Sequence, residues 1–188
     1  MGNLKRRTAA LNPGASQRSR RNKDQRSTSS KSPASIAFPT QARASSRSDS
    51  LGEDLQHWIG RADTFFVASA HPEGGADASH RGGFPGFVRV VDGRTLTWPD
   101  YDGNRMFNTL GNLVENPRAG LLFLDFENGR TLQLSGTASA SWDPERAAEY
   151  PGAQRLVDLA LEEAVVTDNA TALRWRFLDY SPENPWVC

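Results

Sequence analysis

The chain is poor in cysteine, has no long apolar run, and carries almost no acid and almost no aromatic groups in its first 50 residues. Its one cysteine among 188 residues, Cys188, allows neither an intramolecular disulfide nor a cysteine-based metal site. That usage suits a reducing compartment. No stretch approaches the ~20 apolar residues of a membrane span. The N-terminus lacks the apolar core of a signal peptide. The expectation is a cytoplasmic protein with no membrane partner. Residues 1–50 hold 11 basic and 2 acidic side chains, a net of +9, and one aromatic, Phe38. Residues 51–188 hold 11 basic and 20 acidic side chains, a net of −9, and 16 aromatics. The formal charge of zero is therefore a cancellation between two unlike parts.

The first part, residues 1–34, reads as a disordered basic tail. Arg18, Arg20, Arg21, Lys23 and Arg26 are interleaved with Ser, Asn and Gln. No apolar residue recurs at a period of 2 or 3.6, so burial cannot offset the entropy of ordering. Beside a plain solvated tail stand organelle targeting, a phosphate-contacting nucleic-acid arm and attraction to an anionic surface. The start Met-Gly-Asn-Leu-Lys-Arg misses the myristoylation pattern at Arg6. The domain is expected over residues 35–188, with Ile36 and Phe38 as its first apolar anchors.

Within it, Ser50 and Glu53 have capping-box spacing. Leu51, Leu55, Trp58 and Ile59 make one helical face, with Gly60 as a stop. Strands are expected over 63–70, 77–81, 87–91 and 94–98, the last two joined by an Asp92-Gly93 hairpin. A loop over 100–104 leads to a helix with Met106, Phe107, Leu110 and Leu113 on its buried face, ended by Asn116-Pro117. Strands follow over 118–126 and 130–142, around an Asn128-Gly129 turn, with Gly136 permitting a bend or bulge. Residues 144–150 and 154–163 read as short helices. Residues 172–180 alternate and read as a strand. Trp186 is expected to pack the final residues. Hairpin-joined strands without βαβ spacing point to a mainly β fold with helices (α+β), a six-stranded antiparallel barrel.

The segment richest in chemistry is Ser79–Asn112. His80 and Arg81 end a strand beside Gly82 and Gly83, where backbone can approach a ligand and a guanidinium can grip phosphate. Arg89 lies in an apolar strand, where a charge needs a partner. Gly103, Asn104 and Arg105 open a helix, an anion-favouring position. Each has a plainer explanation: a bulged connection at the glycines, a simple cap at Asn104, an Arg89 that reaches the rim, a structural His80. The conjunction of two basic clusters beside backbone-exposing residues favours a phosphate-bearing ligand.

The run HRGGFPGFVRVVDGRTLTWPDYDGNRMFNTLGNLVENPRAGLLFLDF resembles the pyridoxamine 5′-phosphate oxidase-like, FMN-binding split-barrel family. The likeness is narrower to a bacterial subgroup with an HRGG…PGF…PDYxGNRxxxTxGNLxENPR pattern. It covers residues 35–142 well and the C-terminal part loosely; residues 1–34 lie outside it. It implies an FMN-type split barrel, a homodimer with flavin at the two-fold interface, and oxidoreductase activity on a small-molecule substrate. The implied cofactor-binding residues are His80, Arg81, Arg89, Pro99, Asp100, Tyr101, Asn104, Arg105 and Gln133.

The family's Ser-Arg-Lys at the helix start is here Asn104-Arg105-Met106, so His80 or Arg81 takes the place of the missing cation. Pro99, Asp100 and Tyr101 stand where the ring contacts usually come from. Arg89 matches the basic residue ending the first FMN strand, and Gln133 matches a Gln after the second hairpin. No catalytic acid or base and no metal ligand is implied, because the flavin transfers the electrons. The Trp…Arg-Leu-x-Pro signature and the Arg-x-His substrate pair of the true oxidase do not appear. Leu173–Pro182 supplies only Arg174, Trp175 and Arg176, so the substrate stays open. Two other readings stand beside this one. The first is a non-catalytic module for flavin, deazaflavin or haem. The second is a nucleic-acid-binding barrel acting through the basic tail, which the −9 charge of the folded part opposes.

Overall fold

The computed structural model describes residues 44–101, 108–173, 175–182 and 184. The basic tail, Ile36 and Phe38, residues 102–107 and Trp186 lie outside the described residues. In chain order the elements are β1 (Ser45–Ser48), α1 (Glu53–Arg61), β2 (Thr64–Ala70), β3 (Ala76–Gly82), β4 (Arg89–Asp92) and β5 (Thr95–Tyr101). They continue with α2 (Asn108–Glu115), β6 (Arg118–Leu124), β7 (Thr131–Ser141), α3 (Pro144–Ala148) and β8 (Ala153–Thr167).

All pairings among these strands are antiparallel, in the order β3-β2-β6-β7-β8-β5-β4, with β1 on β8. The six strands expected between residues 63 and 142 are present as β2 to β7. Hairpin chemistry accounts for their order: Asp92-Gly93 joins β4 to β5, and Gly129 (φ 72°) closes the β6–β7 turn in a conformation that favours glycine. The sheet rolls around one core. Phe65 on β2 meets Phe123 on β6 at 5.2 Å and Trp98 on β5 edge-on at 5.5 Å between ring centroids. Strands β2 and β5 lie four places apart in the sheet order, so this contact requires a curled sheet. The architecture is an antiparallel split barrel with a few helices.

Two expectations fail for identifiable reasons. Residues 154–163, read as a helix from Leu156, Leu159 and Ala160, belong to the 15-residue strand β8. Arg155, Leu156 and Val157 are all buried, because β8 runs between β5 and β7 and is covered on both faces there. Its alternation is then broken at Glu162, where two β8 residues oppose one of β7: Ser135 pairs with Glu163 and Gly136 with Leu161. Leu159 and Leu161 face the core before this bulge, and Ala164 and Val166 after it. Such a run lacks a clean period of 2.

The described residues of 172–180, read as a strand, form no ladder; Trp175 N–H reaches the Phe126 carbonyl at 3.2 Å, and the alternating aromatics make ring contacts instead. At α1, Ser50 is not the cap. Gly52 holds that position, without a side-chain hydrogen bond. No helix among the described residues is long and apolar enough to cross a membrane.

At Gly136 an added Cβ would collide with the Ala160 carbonyl oxygen, which is backbone and cannot move aside. The Gly136→Ala variant is expected to lose about 1–3 kcal/mol of stability through overpacking. Urea unfolding of the variant beside the parent protein measures this.

Candidate functional site

The outcome at the predicted site follows from strand alternation, which sends neighbouring residues to opposite faces. Along β3, Asp77, Ser79 and Arg81 pair with Ser69, Val67 and Phe65 and share the inner face with the core. Ala78 and His80 point outward. His80 and Arg81 are therefore on opposite sides of one strand. Because β3 ends the sheet order, both sides are reached around its free edge.

On the inner side, α2 packs through Thr109, Leu110 and Leu113. The Thr109 hydroxyl donates to Asp77 at 2.7 Å and lies 3.0 Å from the Ser79 hydroxyl. Asn112 donates to the Ser69 hydroxyl at 3.1 Å. Asp100, at the end of β5, pairs in register with Arg155 of β8, and its carboxylate lies 3.1 Å from Arg155 Nε. Both side chains are largely buried, and the Arg155 guanidinium stacks 4.6 Å above the Trp142 ring. Burial raises the Asp100 pKa above the usual carboxylate range, against the opposing pull of Arg155 and then Arg81. Asp100 and Arg155 thus form one inward pair, while the Arg81 guanidinium donates to the His80 carbonyl at 3.2 Å. Asn104 and Arg105 lie outside the described residues, in the stretch between Tyr101 at the end of β5 and Asn108 at the start of α2.

On the outer side, one row crosses six strands: His80, Phe66, Leu122, Gln133, Val165 and Arg47. The next row is Ala78, Ala68, Gly120, Ser135 and Glu163. The face is largely apolar, with small residues at its middle, Phe66 left 38% exposed, and a depression of about 380 Å³ along these rows. His80 and Gln133 share this row. His80 Nε2 makes a short contact with the Thr64 hydroxyl, and its ring meets Phe66 edge-on.

The other predicted residues stand apart. Arg89 on β4 binds Glu149 at 2.9 Å, donates to the Glu149 carbonyl at 3.2 Å, and lies 4.0 Å above the Tyr150 ring. Its guanidinium is committed there. Pro99 is fully buried, and burial raises the Tyr101 pKa. Nearby, α3 is tied down by Arg146, which reaches both oxygens of Asp158 at 2.9 Å, while Thr97 donates to the same carboxylate at 2.6 Å.

Arg155 is the residue that sequence reading missed. It fell in a presumed helix, where nothing placed it opposite Asp100. Its signal was a lone arginine directly before the apolar run Leu156-Val157.

A model of the pyridoxamine 5′-phosphate oxidase family matches residues 51–179. The chain belongs to this family. Among solved structures, a candidate pyridoxamine 5′-phosphate oxidase from Lactobacillus delbrueckii is similar at a TM-score of 0.50 and 17% identity, over 62% of this chain and 94% of its own. HupZ from Group A Streptococcus gives 0.48 at 15% identity, over 60% and 90%. HutZ, the heme storage protein of Vibrio cholerae, gives 0.45 at 11%, over 62% and 93%. The Lactobacillus likeness is one of fold. No curated protein matches the chain in sequence.

The raised Asp100 pKa has a definite sign. The folded protein keeps this proton to a higher pH than the unfolded chain, so the contribution weakens as pH rises from the unfolded Asp range, about 3.9, through the folded pKa. Asp100→Asn removes that dependence. Denaturation of both proteins across this window is expected to show stability relative to the variant falling as pH rises. A parallel pair of curves would contradict the assignment.

Proposed function

We propose that this protein is a homodimeric, FMN-dependent oxidoreductase acting on a small molecule, with the flavin lying where the outer sheet faces of two copies meet. The observation that carries this reading is the outer face, which no element among the described residues covers. An apolar surface with Ala68, Ala78 and Gly120 at its middle and a depression of about 380 Å³ along them suits close approach by a second sheet or a planar ring. His80 and Gln133, in the adjacent row, offer hydrogen-bonding groups to such a ring. Family membership supports the same reading. Bound FMN supplies two-electron transfer. The chain's own part is to bind and orient it.

In this reading Arg105 and Asn104, which precede α2 in the sequence, hold the phosphate, and Arg81 reaches it around the free edge of β3. Asp100 is paired with Arg155 and positions the end of β5 rather than meeting the anion. Arg89, held by Glu149 and Tyr150, stays outside the phosphate seat.

A second reading, binding without turnover, draws on Pro99. This residue is fully buried in place of a hydroxyl-bearing ring contact. Deazaflavin and haem are the alternative occupants. Reduction of bound flavin by a nicotinamide donor separates turnover from storage.

The absorbance of the purified protein, alone and after mixing with FMN, deazaflavin or haem, tests the whole reading. A flavin spectrum supports it. A colourless protein that takes up none of the three ends both readings. Arg105→Ala and Arg81→Ala are each expected to weaken FMN binding by about 1.5–3 kcal/mol, the scale of a hydrogen bond to a charged group. Deleting residues 1–34 is expected to leave flavin content unchanged. Fluorescence titration with FMN measures all three.

A further inference from the structure

A cleft of about 850 Å³ lies between the segment after β8 and the edge formed by Asp63, Thr64, His80 and Gly82. Its size falls within the usual range for small-molecule sites. The segment is held at one end by the Trp175 N–H bond to the Phe126 carbonyl and by the Phe126–Trp175 ring contact, 5.1 Å between centroids at 87°. At the other end, Tyr180 meets Phe84 at 5.0 Å and Phe177 at 4.8 Å. Three edge-to-face aromatic contacts therefore bracket the opening.

These rings are not spent on the core. Trp175 is 43% exposed, Phe177 60% and Tyr180 37%. A cluster of large exposed apolar side chains around a cleft marks a binding surface more often than chance. The charge lining the cleft is also one-sided. Asp63, Glu127 and Asp179 line it against one guanidinium, Arg176. None of the three carboxylates forms an ion pair among the described residues.

Aromatic faces are electron-rich and attract cations, most strongly when the cation is weakly hydrated. Carboxylates at the rim add long-range attraction. An anion would meet net negative charge, and a neutral polar molecule would find few partners among the rings. We propose that this cleft is a binding site for a flat organic cation, an aromatic compound bearing an ammonium or methylated ammonium group. The rings stack on the apolar body and the charged head faces Asp63, Glu127 and Asp179. The cleft shares His80 with the proposed flavin face, but cation binding there requires no flavin, so it is tested apart from the proposed redox function.

The test is calorimetric titration of the full chain, with no cofactor added, using phenyltrimethylammonium as probe and benzenesulfonate as the anion of similar size. Saturable one-site binding of the cation, without binding of the anion, is expected. Trp175→Ala should weaken the cation about tenfold, within the range of a desolvated cation–π contact. Trp175→Phe should recover most of that loss, which separates a lost ring from a misfolded segment. Asp179→Asn should weaken the cation about threefold, and added salt should shrink that difference. Equal binding of both probes, no saturable binding of the cation at millimolar concentration, or a folded Trp175→Ala protein with unchanged affinity would each overturn the proposal.

Discussion

The pairing of β7 with β8 is the constraint on which the rest depends. Strand β8 keeps β7 along one edge over residues 156–167. Its other edge is shared between β5, along residues 153–160, and β1, along residues 164–167. Pairing on both edges of so long a strand would force a single inside–outside alternation. The bulge at Glu162 breaks it, opposite a glycine whose partner strand leaves no room for a Cβ. On one side of the bulge, Arg155, Val157 and Leu159 face inward with Trp98 and Leu96. On the other, Val165 and Glu163 join the outer rows. One defect in one strand thus separates the inward residues around Phe65 from the outer rows that continue across β7, β6, β2 and β3.

That geometry divides the chemistry. The residues grouped by sequence around Ser79–Asn112 do not converge on a single point. Arg81 and Asp100 turn inward, where Arg155 completes a buried pair that is costly to break on one side only. His80 and Gln133 turn outward onto the apolar face. Because β3 ends the sheet, a ligand at its edge can touch both sides. A long cofactor with a charged end and a planar end fits such a divided arrangement better than a compact one does. The proposed function follows from this division.

Local chemistry made much of this legible. Hairpin turns at Asp92-Gly93 and Asn128-Gly129, the helix ended by Asn116-Pro117, and the alternating strands between residues 63 and 142 were readable because each depends on neighbouring residues. The long motif over residues 80–126 carried the family. What escaped depended on distant partners. Strand β8 was unreadable because its cover on both faces and its bulge erase the period of 2. The segment around Trp175 has the alternation of a strand but no ladder to join. Arg155 and its pairing with Asp100, and the opposite facing of His80 and Arg81, become visible only once strand register is known.

The central claim is that the outer sheet face closes on a second copy and that the flavin depends on this closure. Ala68 sits at the middle of the small-residue row, so Ala68→Arg places a bulky charge where the two sheets would meet. Sedimentation velocity with absorbance detection, in the presence of FMN, tests this most directly. The account predicts a flavin-bearing dimer for the parent protein and a folded, flavin-free monomer for the variant. A monomeric variant that binds FMN as tightly as the parent would contradict it.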